Sequence, residues 1–248
     1  MRQDRSRNER MSHGAEWDFF DAIYCITLAS RPDRMQAAKE QFARVDLEER
    51  IEFVVVARDE EDPVRGIFSS HQRCLSQALA AGAQHILIFE DDVFFRQHNP
   101  ERLREACRFL EDIGTWDGFA LGCLTRSSRP TNRRGVVRIR YQCLTHGYAL
   151  NRPFAKRILQ ESWQGVPIDT LIHRLGGEFY ALHPMCAFQG LATSDNNTVW
   201  IDRLRSIFGG LALIQKGNEV YCNHKWLIIF IHVLVAAGLI ALFWPTCS

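Results

Sequence analysis

The sequence predicts an α/β protein: a single domain with a mostly parallel central sheet covered on both faces, followed by one membrane-spanning helix. Three observations predict it. Apolar runs of strand length alternate with helical patterns through the first half of the chain, as they do where crossover helices connect parallel strands. Those runs are continuous rather than alternating, which marks strands buried on both faces. Finally, residues 226–244 are apolar throughout apart from His232, so no face of a helix there suits water.

Taken in order, residues 1–16 read as a basic arm with arginines at positions 2, 5, 7 and 10. No apolar run follows them, so no signal peptide is expected. The domain is expected over 17–208. It opens with a strand at 22–28, after which Pro32 starts a helix bearing Met35, Ala38, Phe42 and Val45 on one face. A β-branched strand at 51–57 follows. Ser69 and Ser70 read as N-caps of a helix that turns His71, Cys74, Leu75, Ala78 and Leu79 inward and ends at Gly82. A strand at 85–89 leads to Glu90-Asp91-Asp92. Asn99-Pro100 opens a helix with Leu103, Ala106, Cys107 and Leu110 inward. Strand-like runs at 118–122, 136–142 and 145–150 precede helices from Pro153 to about 161 and over 170–175.

The segment 209–225 reads as a linker and 226–244 as a transmembrane helix. At 1.5 Å per residue the latter spans roughly 28 Å, close to a hydrocarbon core. Trp226, Phe243 and Trp244 stand at its ends, where aromatic rings favour the interface. Lys216, His224 and Lys225 precede it and no charged side chain follows. The positive-inside rule therefore predicts a single-pass protein with a C-terminal anchor and a cytoplasmic domain. The glycosylation triplet Asn196-Asn197-Thr198 points the other way.

Of the 248 residues 46% are hydrophobic, enough for one sizeable core. Thirty basic against 29 acidic residues leave a net charge of +1, which excludes a global field that would recruit nucleic acid. The eight cysteines show neither zinc spacing nor a disulfide framework. Several lie in apolar runs as small hydrophobes, and a reducing compartment is expected.

The acidic triplet is the chemical centre. Adjacent carboxylates repel, and burial raises their pKa values unless a cation compensates. A divalent cation bridging carboxylate and diphosphate oxygens would supply that compensation. Alternation at the strand end predicts Glu90 and Asp92 on one side and Asp91 on the other. A solvated acidic turn is the plain alternative. Ser70-His71, at the expected start of a helix, would suit an anion, and Arg31 and Arg34 stand where guanidinium groups could reach a diphosphate.

The segment Ile23-Tyr24-Cys25-Ile26-Thr27-Leu28-Ala29-Ser30-Arg31-Pro32-Asp33-Arg34 resembles the opening strand and arginine pair of glycosyltransferase family 25. Ser69-Ser70-His71-Gln72, Ile86 through Val93 with the acidic triplet, Thr145-His146-Gly147-Tyr148-Ala149-Leu150 and Pro167-Ile168-Asp169 resemble later blocks of that family, in order. So do His183-Pro184, Gln189-Gly190 and Ser194-Asp195. The resemblance implies a GT-A fold and transfer of a hexose, galactose or glucose, from a UDP-hexose to a glycan or glycolipid acceptor. It implies Mn2+, or Mg2+ in its place, held by Glu90 and Asp92 with His183 as a further contact. It implies donor contacts from Thr27, Arg31, Arg34, Ser70, His71, Glu90 and Asp91. Asp169 is the candidate general base of an inverting transfer, its other reading being a helix cap. The chain departs from the family at Val64-Arg65-Gly66-Ile67-Phe68 and at Thr27, where Asn is usual. An inactive, membrane-anchored nucleotide-sugar or glycan-binding protein is the competing expectation. A phosphotransferase of the haloacid dehalogenase type would need an Asp where Glu90 stands.

Overall fold

Seven residues, Ala22–Leu28, form β1, one strand in from an edge of the sheet. Its neighbours are β2 (Glu52–Val56) and β3 (His85–Glu90), both parallel to it. A computed structural model describes residues 14–190 and 210–243. Most of the basic arm, Ser194-Asp195, the triplet Asn196-Asn197-Thr198 and Trp244 lie outside the described residues.

The remaining strands are β4 (Val93–Phe95), β5 (Gly118–Ala120), β6 (Leu124–Pro130), β7 (Val136–Cys143), β8 (Gly147–Asn151), β9 (Phe179–Leu182) and β10 (Ala187–Gln189). Eight of them make one sheet in the order β2-β1-β3-β8-β5-β9-β7-β6, and β10 pairs with β4 beside it. Within the large sheet β1, β2, β3, β5, β6 and β9 point one way, and only β7 and β8 run against them. The sheet is therefore mixed but mostly parallel, as expected.

Helices α1 (Pro32–Ala43) and α3 (Pro100–Ile113) cover one face. Helices α2 (Pro63–Ala80), α4 (Arg152–Gln160) and α5 (Ile168–Leu175) cover the other. Strand β3 shows why its sequence is continuously apolar. Ile86 and Ile88 pack on the α2 side, Leu87 and Phe89 on the α1 side, and all four are fully buried. Both faces of that strand have to be apolar, so no alternation remains.

Two expectations change. Helix α2 begins at Pro63, not at Ser69–Ser70. Asp62 caps it by accepting the Arg65 N–H at 3.1 Å, and Pro63 occupies the first turn. Asp59 grips Arg65 by accepting from Nε and Nη2 and packs against Gly66, where a β-carbon would come within 2.8 Å of Asp59 Cβ. The second change is at the C-terminal end. From residue 210 on, the stretch expected as a linker is helical, the first half of α6 (Gly210–Phe243). It is amphipathic in hydrogen bonding: Gln215, Glu219 and Cys222 are buried on the domain side. The helix departs from helical geometry at His224 and continues into the apolar segment.

Candidate functional site

The site lies at the carboxyl end of β1 and β3, where ligands collect in sheets of this type. Strand β3 ends at Glu90, and Asp91-Asp92 form a turn. Strict alternation stops with the extended backbone, so the expected division of the three acids does not hold. Glu90 faces one way, into a network with α2 and β8. Asp91 and Asp92 together face α1.

On the α1 side Thr27 Oγ1 donates to Asp91 Oδ2 at 2.8 Å. Arg34 Nη2 lies 2.5 Å from Asp91 Oδ1 and 3.2 Å from Asp92 Oδ2, with its side chain only 14% exposed. Gln189 Nε2 donates to Asp92 Oδ2 at 2.9 Å, and the Gly190 N–H donates to the Asp92 carbonyl at 2.7 Å. The small β4–β10 sheet makes this contact by setting Gln189 opposite Val93. Asp92 Oδ1 is buried without a hydrogen-bond partner. A recess of about 190 Å³ opens here, lined by Arg34, Gln41, Asp91, Asp92, Phe94 and Gly190.

On the other side Thr145 Oγ1 donates to Glu90 Oε1 at 2.5 Å, and His71 Nε2 lies 3.5 Å from the same oxygen. His71 Nδ1 meets the Tyr148 hydroxyl at 2.9 Å. The loop between β7 and β8 joins this network to α5. The Leu144 N–H points at Asp169 Oδ2 at 3.5 Å, and Tyr141 donates its hydroxyl to the Leu144 carbonyl. Leu144 has a φ of 78°, a left-handed conformation that costs a residue with a β-carbon roughly 1–2 kcal/mol. Such strain accompanies functional loops. His146, next in the loop, binds the Ala187 carbonyl through Nε2. Gly122 is required there, because any side chain would collide with that carbonyl and with the His146 ring.

The electrostatics separate the acids. Burial pushes the Asp92 carboxyl up, Glu90 across the site adds to it, and Arg34 opposes both. Burial also raises Asp91, against Arg34 and the Thr27 hydroxyl. Glu90 is held below the carboxylate range, because His71 and Thr145 outweigh its burial. One ionised acid beside one reluctant to ionise is the pattern of a tuned site.

The structure thus gathers Thr27, Arg34, His71, Glu90, Asp91 and Asp92, and links Asp169 to them through the 144–145 loop. Three expected residues go elsewhere. Arg31 binds Asp33 with Nε and Nη2 at the start of α1, where both groups meet water. Ser70 sits in the middle of α2 and donates to the Gly66 carbonyl at 2.7 Å, so it offers no helix terminus to an anion. His183 turns its Nδ1 to Glu219 Oε1 at 3.0 Å, on α6. Asp169 is not a cap: the N-cap is Pro167, and Asp169 Oδ1 accepts the Thr170 N–H at 2.6 Å inside the first turn. Thr145, Tyr148 and Gln189 carry contacts to which the sequence alone assigns no role. Their only signal was position within the blocks around Gly147 and Gly190.

Among the described residues no group of three or more His, Cys, Asp and Glu side chains could hold an ion by itself. The partnerless, buried Oδ1 of Asp92 nevertheless fits a hard cation that brings other oxygen ligands with it. Magnesium-type sites work in this way, with one or two carboxylates plus substrate phosphates.

The sequence model of the family described as Glycosyltransferase family 25 (LPS biosynthesis protein) matches residues 1–172. Two curated relatives are each 25% identical over 190 residues, or 62% of this chain. They are Inactive glycosyltransferase 25 family member 3 of Homo sapiens and Probable inactive glycosyltransferase 25 family member 3 of Rattus norvegicus. The matched part is 31% of the human protein and 32% of the rat protein, so the chain spans about a third of these relatives. Among solved structures, mannose-1-phosphate geranyltransferase from Thermus thermophilus aligns with 65% of this chain and 73% of its own at 14% identity, with a TM-score of 0.41. A glycosyltransferase involved in glycosylation of the major capsid of PBCV-1 aligns with 64% of this chain and 81% of its own. Its identity is 12% and its TM-score 0.37.

Proposed function

This chain belongs to glycosyltransferase family 25, and on that premise we propose that it transfers a hexose, galactose or glucose, from a UDP-hexose to a glycan or glycolipid acceptor. The observation that carries the reading is the pair Arg34 and Asp92 beside one recess, a fixed guanidinium next to a carboxylate with an unsatisfied buried oxygen. Arg34 would bind the diphosphate, since guanidinium matches phosphate oxygens. Asp92, with Glu90 nearby, would hold Mn2+ or Mg2+. When bound, that ion neutralises charge on the departing diphosphate. Thr27 holds Asp91, and Asp91 in turn orients Arg34. His71 and Thr145 keep Glu90 ionised. Asp169 would take the acceptor hydroxyl proton in an inverting transfer, on the far side of the loop that binds Glu90.

Helix α6 is long and apolar enough to cross a membrane. Its second half exposes Trp226 (74%), Phe230, Val233, Leu234 and Ile240 on all sides, which excludes burial in this domain's core. We read it as a single-pass anchor with the domain on the cytoplasmic side, because Lys216, His224 and Lys225 lie at that end.

A second reading has a specific observation behind it. The matched human and rat proteins are named as inactive and probable inactive, and Arg34 already pairs with both Asp91 and Asp92 in this structure. The chain would then bind a nucleotide sugar without turnover. Nucleoside diphosphate release, measured with a panel of nucleotide sugars and Mn2+, separates the two. The enzyme reading expects release that disappears in Asp92→Ala. Binding without transfer or hydrolysis leaves the second reading standing.

A further inference from the structure

Between Asp117 and Glu161 the chain has no acidic residue, yet the β6–β7 hairpin carries Arg126, Arg129, Arg133, Arg134, Arg138 and Arg140. Two of the six are committed. Arg133 binds Glu105 and Asp112, and Arg138 binds Glu178. Arg126, Arg129, Arg134 and Arg140 are exposed and meet no carboxylate among the described residues. The register sets Arg129 directly opposite Arg138, and Ser127 opposite Arg140, so Arg129, Arg138 and Arg140 share one face of the hairpin, with Arg126 at the irregularity in β6 and Arg134 in the turn. Like charges opposed across strands are destabilising, and Glu178 answers only one of the two, Arg138.

The position of this face gives it a partner. Strand β6 is the edge of the large sheet, and α6 runs along that edge. Asn218 accepts the Thr125 N–H and donates to the Thr125 carbonyl, each at 2.9 Å, as a neighbouring strand would. Asn223 then accepts from Ser128 Oγ at 2.8 Å. Strand and helix therefore advance together, and the contact at Ser128 falls one residue before the helical break at His224. Arg129 follows Ser128 directly, and Lys225 and Trp226 follow the break. From Trp226 back to Asn223 is about 5 Å along the helix, and from Arg129 back to Arg126 about 10 Å along the strand. Arg126 and Arg129, and Arg140 opposite Ser127, thus lie within roughly a Debye length of the level where α6 becomes apolar, and Arg134 stands in the turn that follows β6.

We propose that the exposed arginine face of the β6–β7 hairpin, Arg126, Arg129, Arg134 and Arg140, binds the headgroups of anionic lipids in the leaflet that α6 enters. The proposal rests on the membrane-anchor reading and is independent of sugar transfer. Anionic headgroups attract basic side chains held near the surface. The docked half of α6 holds the face at a fixed place beside them, so the domain lies against the membrane rather than swinging from it.

The test uses the full chain reconstituted in phosphatidylcholine bilayers with trace spin-labelled phosphatidylserine or phosphatidylcholine. The motionally restricted lipid fraction is read for each. The expected result is a preference for phosphatidylserine of about fivefold at low salt, reduced by added NaCl. It falls toward equality when the four arginines become Gln and persists when they become Lys, which keeps the charge at these exposed positions. No preference in the wild type, or an unchanged preference in the Gln variant, overturns the proposal. Failure of the chain to enter the bilayer overturns both the anchor and the lipid face, while leaving the transfer reaction untouched.

Discussion

Arg34 holds its Nη2 3.2 Å from Asp92 Oδ2, while Asp92 Oδ1 stays buried with no partner. One arginine therefore balances the turn after β3 and leaves one oxygen facing the recess. This arrangement gives the site a resident cation for the ligand-free state and room for a second.

Replacing Arg34 with Met removes that resident cation from two largely buried acids. Breaking such a pair costs about 3–5 kcal/mol, less here because the guanidinium keeps some contact with water. Thermal unfolding of R34M is expected well below the wild type, with Mn2+ recovering part of the difference. A wild-type melting temperature in R34M would show that the pairing contributes nothing.

Thr27→Val keeps the shape of a 2%-exposed side chain and removes the hydroxyl that serves Asp91. An unsatisfied buried acceptor costs about 1–3 kcal/mol. Denaturant unfolding should show a loss of that size, with UDP-hexose affinity weakened through Arg34. Equal stability of the two proteins would mean that Asp91 finds another donor.

Glu219 ties α6 to the domain through His183 and the Met185 N–H, while Lys216, one turn back on the same helix, pairs with its other oxygen. Burial disfavours its ionisation, but these three donors outweigh it and hold the carboxyl below its ordinary value. A depressed carboxyl contributes stability that is full above the unfolded pKa, about 4.3. That stability is lost as pH falls through the lower folded value. Melting temperature in detergent should thus fall on acidification below about pH 4.3. Glu219→Gln should lower it at neutral pH and flatten the acid limb. An acid limb as steep in the variant as in the wild type would place the titration elsewhere.

How legible this was depended on how local each signal is. Strand β1 and helix α3 follow the sequence closely, because an apolar run in one case and Asn99-Pro100 in the other carry their own boundaries. Strand β6 was invisible. Leu-Thr-Arg-Ser-Ser-Arg-Pro has no apolar pattern, since it is an edge strand whose outer side is satisfied by Asn218 and Asn223 from the end of the chain. The docked half of α6 was hidden for the matching reason, its buried side being Gln215 and Glu219. At the site, Thr27, Arg34 and the acids were readable from strand ends. Ser70 was misplaced because Asp62-Pro63 caps its helix earlier, and His183 because Glu219 is 36 residues away.

Asp169→Asn preserves the bond to the Thr170 N–H while removing a carboxylate able to accept a proton. General-base loss is worth about 10²- to 10⁴-fold in turnover, with donor affinity unchanged by calorimetry. Unaltered turnover would return Asp169 to a purely structural place in the first turn of α5.

In the proposed reaction Asp92 makes donor binding cation-dependent. Calorimetric titration of UDP-hexose into the wild type and Asp92→Asn, each with and without Mn2+, isolates that role. Tight binding is expected only in the wild type with Mn2+, and weak, metal-insensitive binding in the variant. Equal affinity with and without the ion, or an undiminished Mn2+ response in Asp92→Asn, would contradict it.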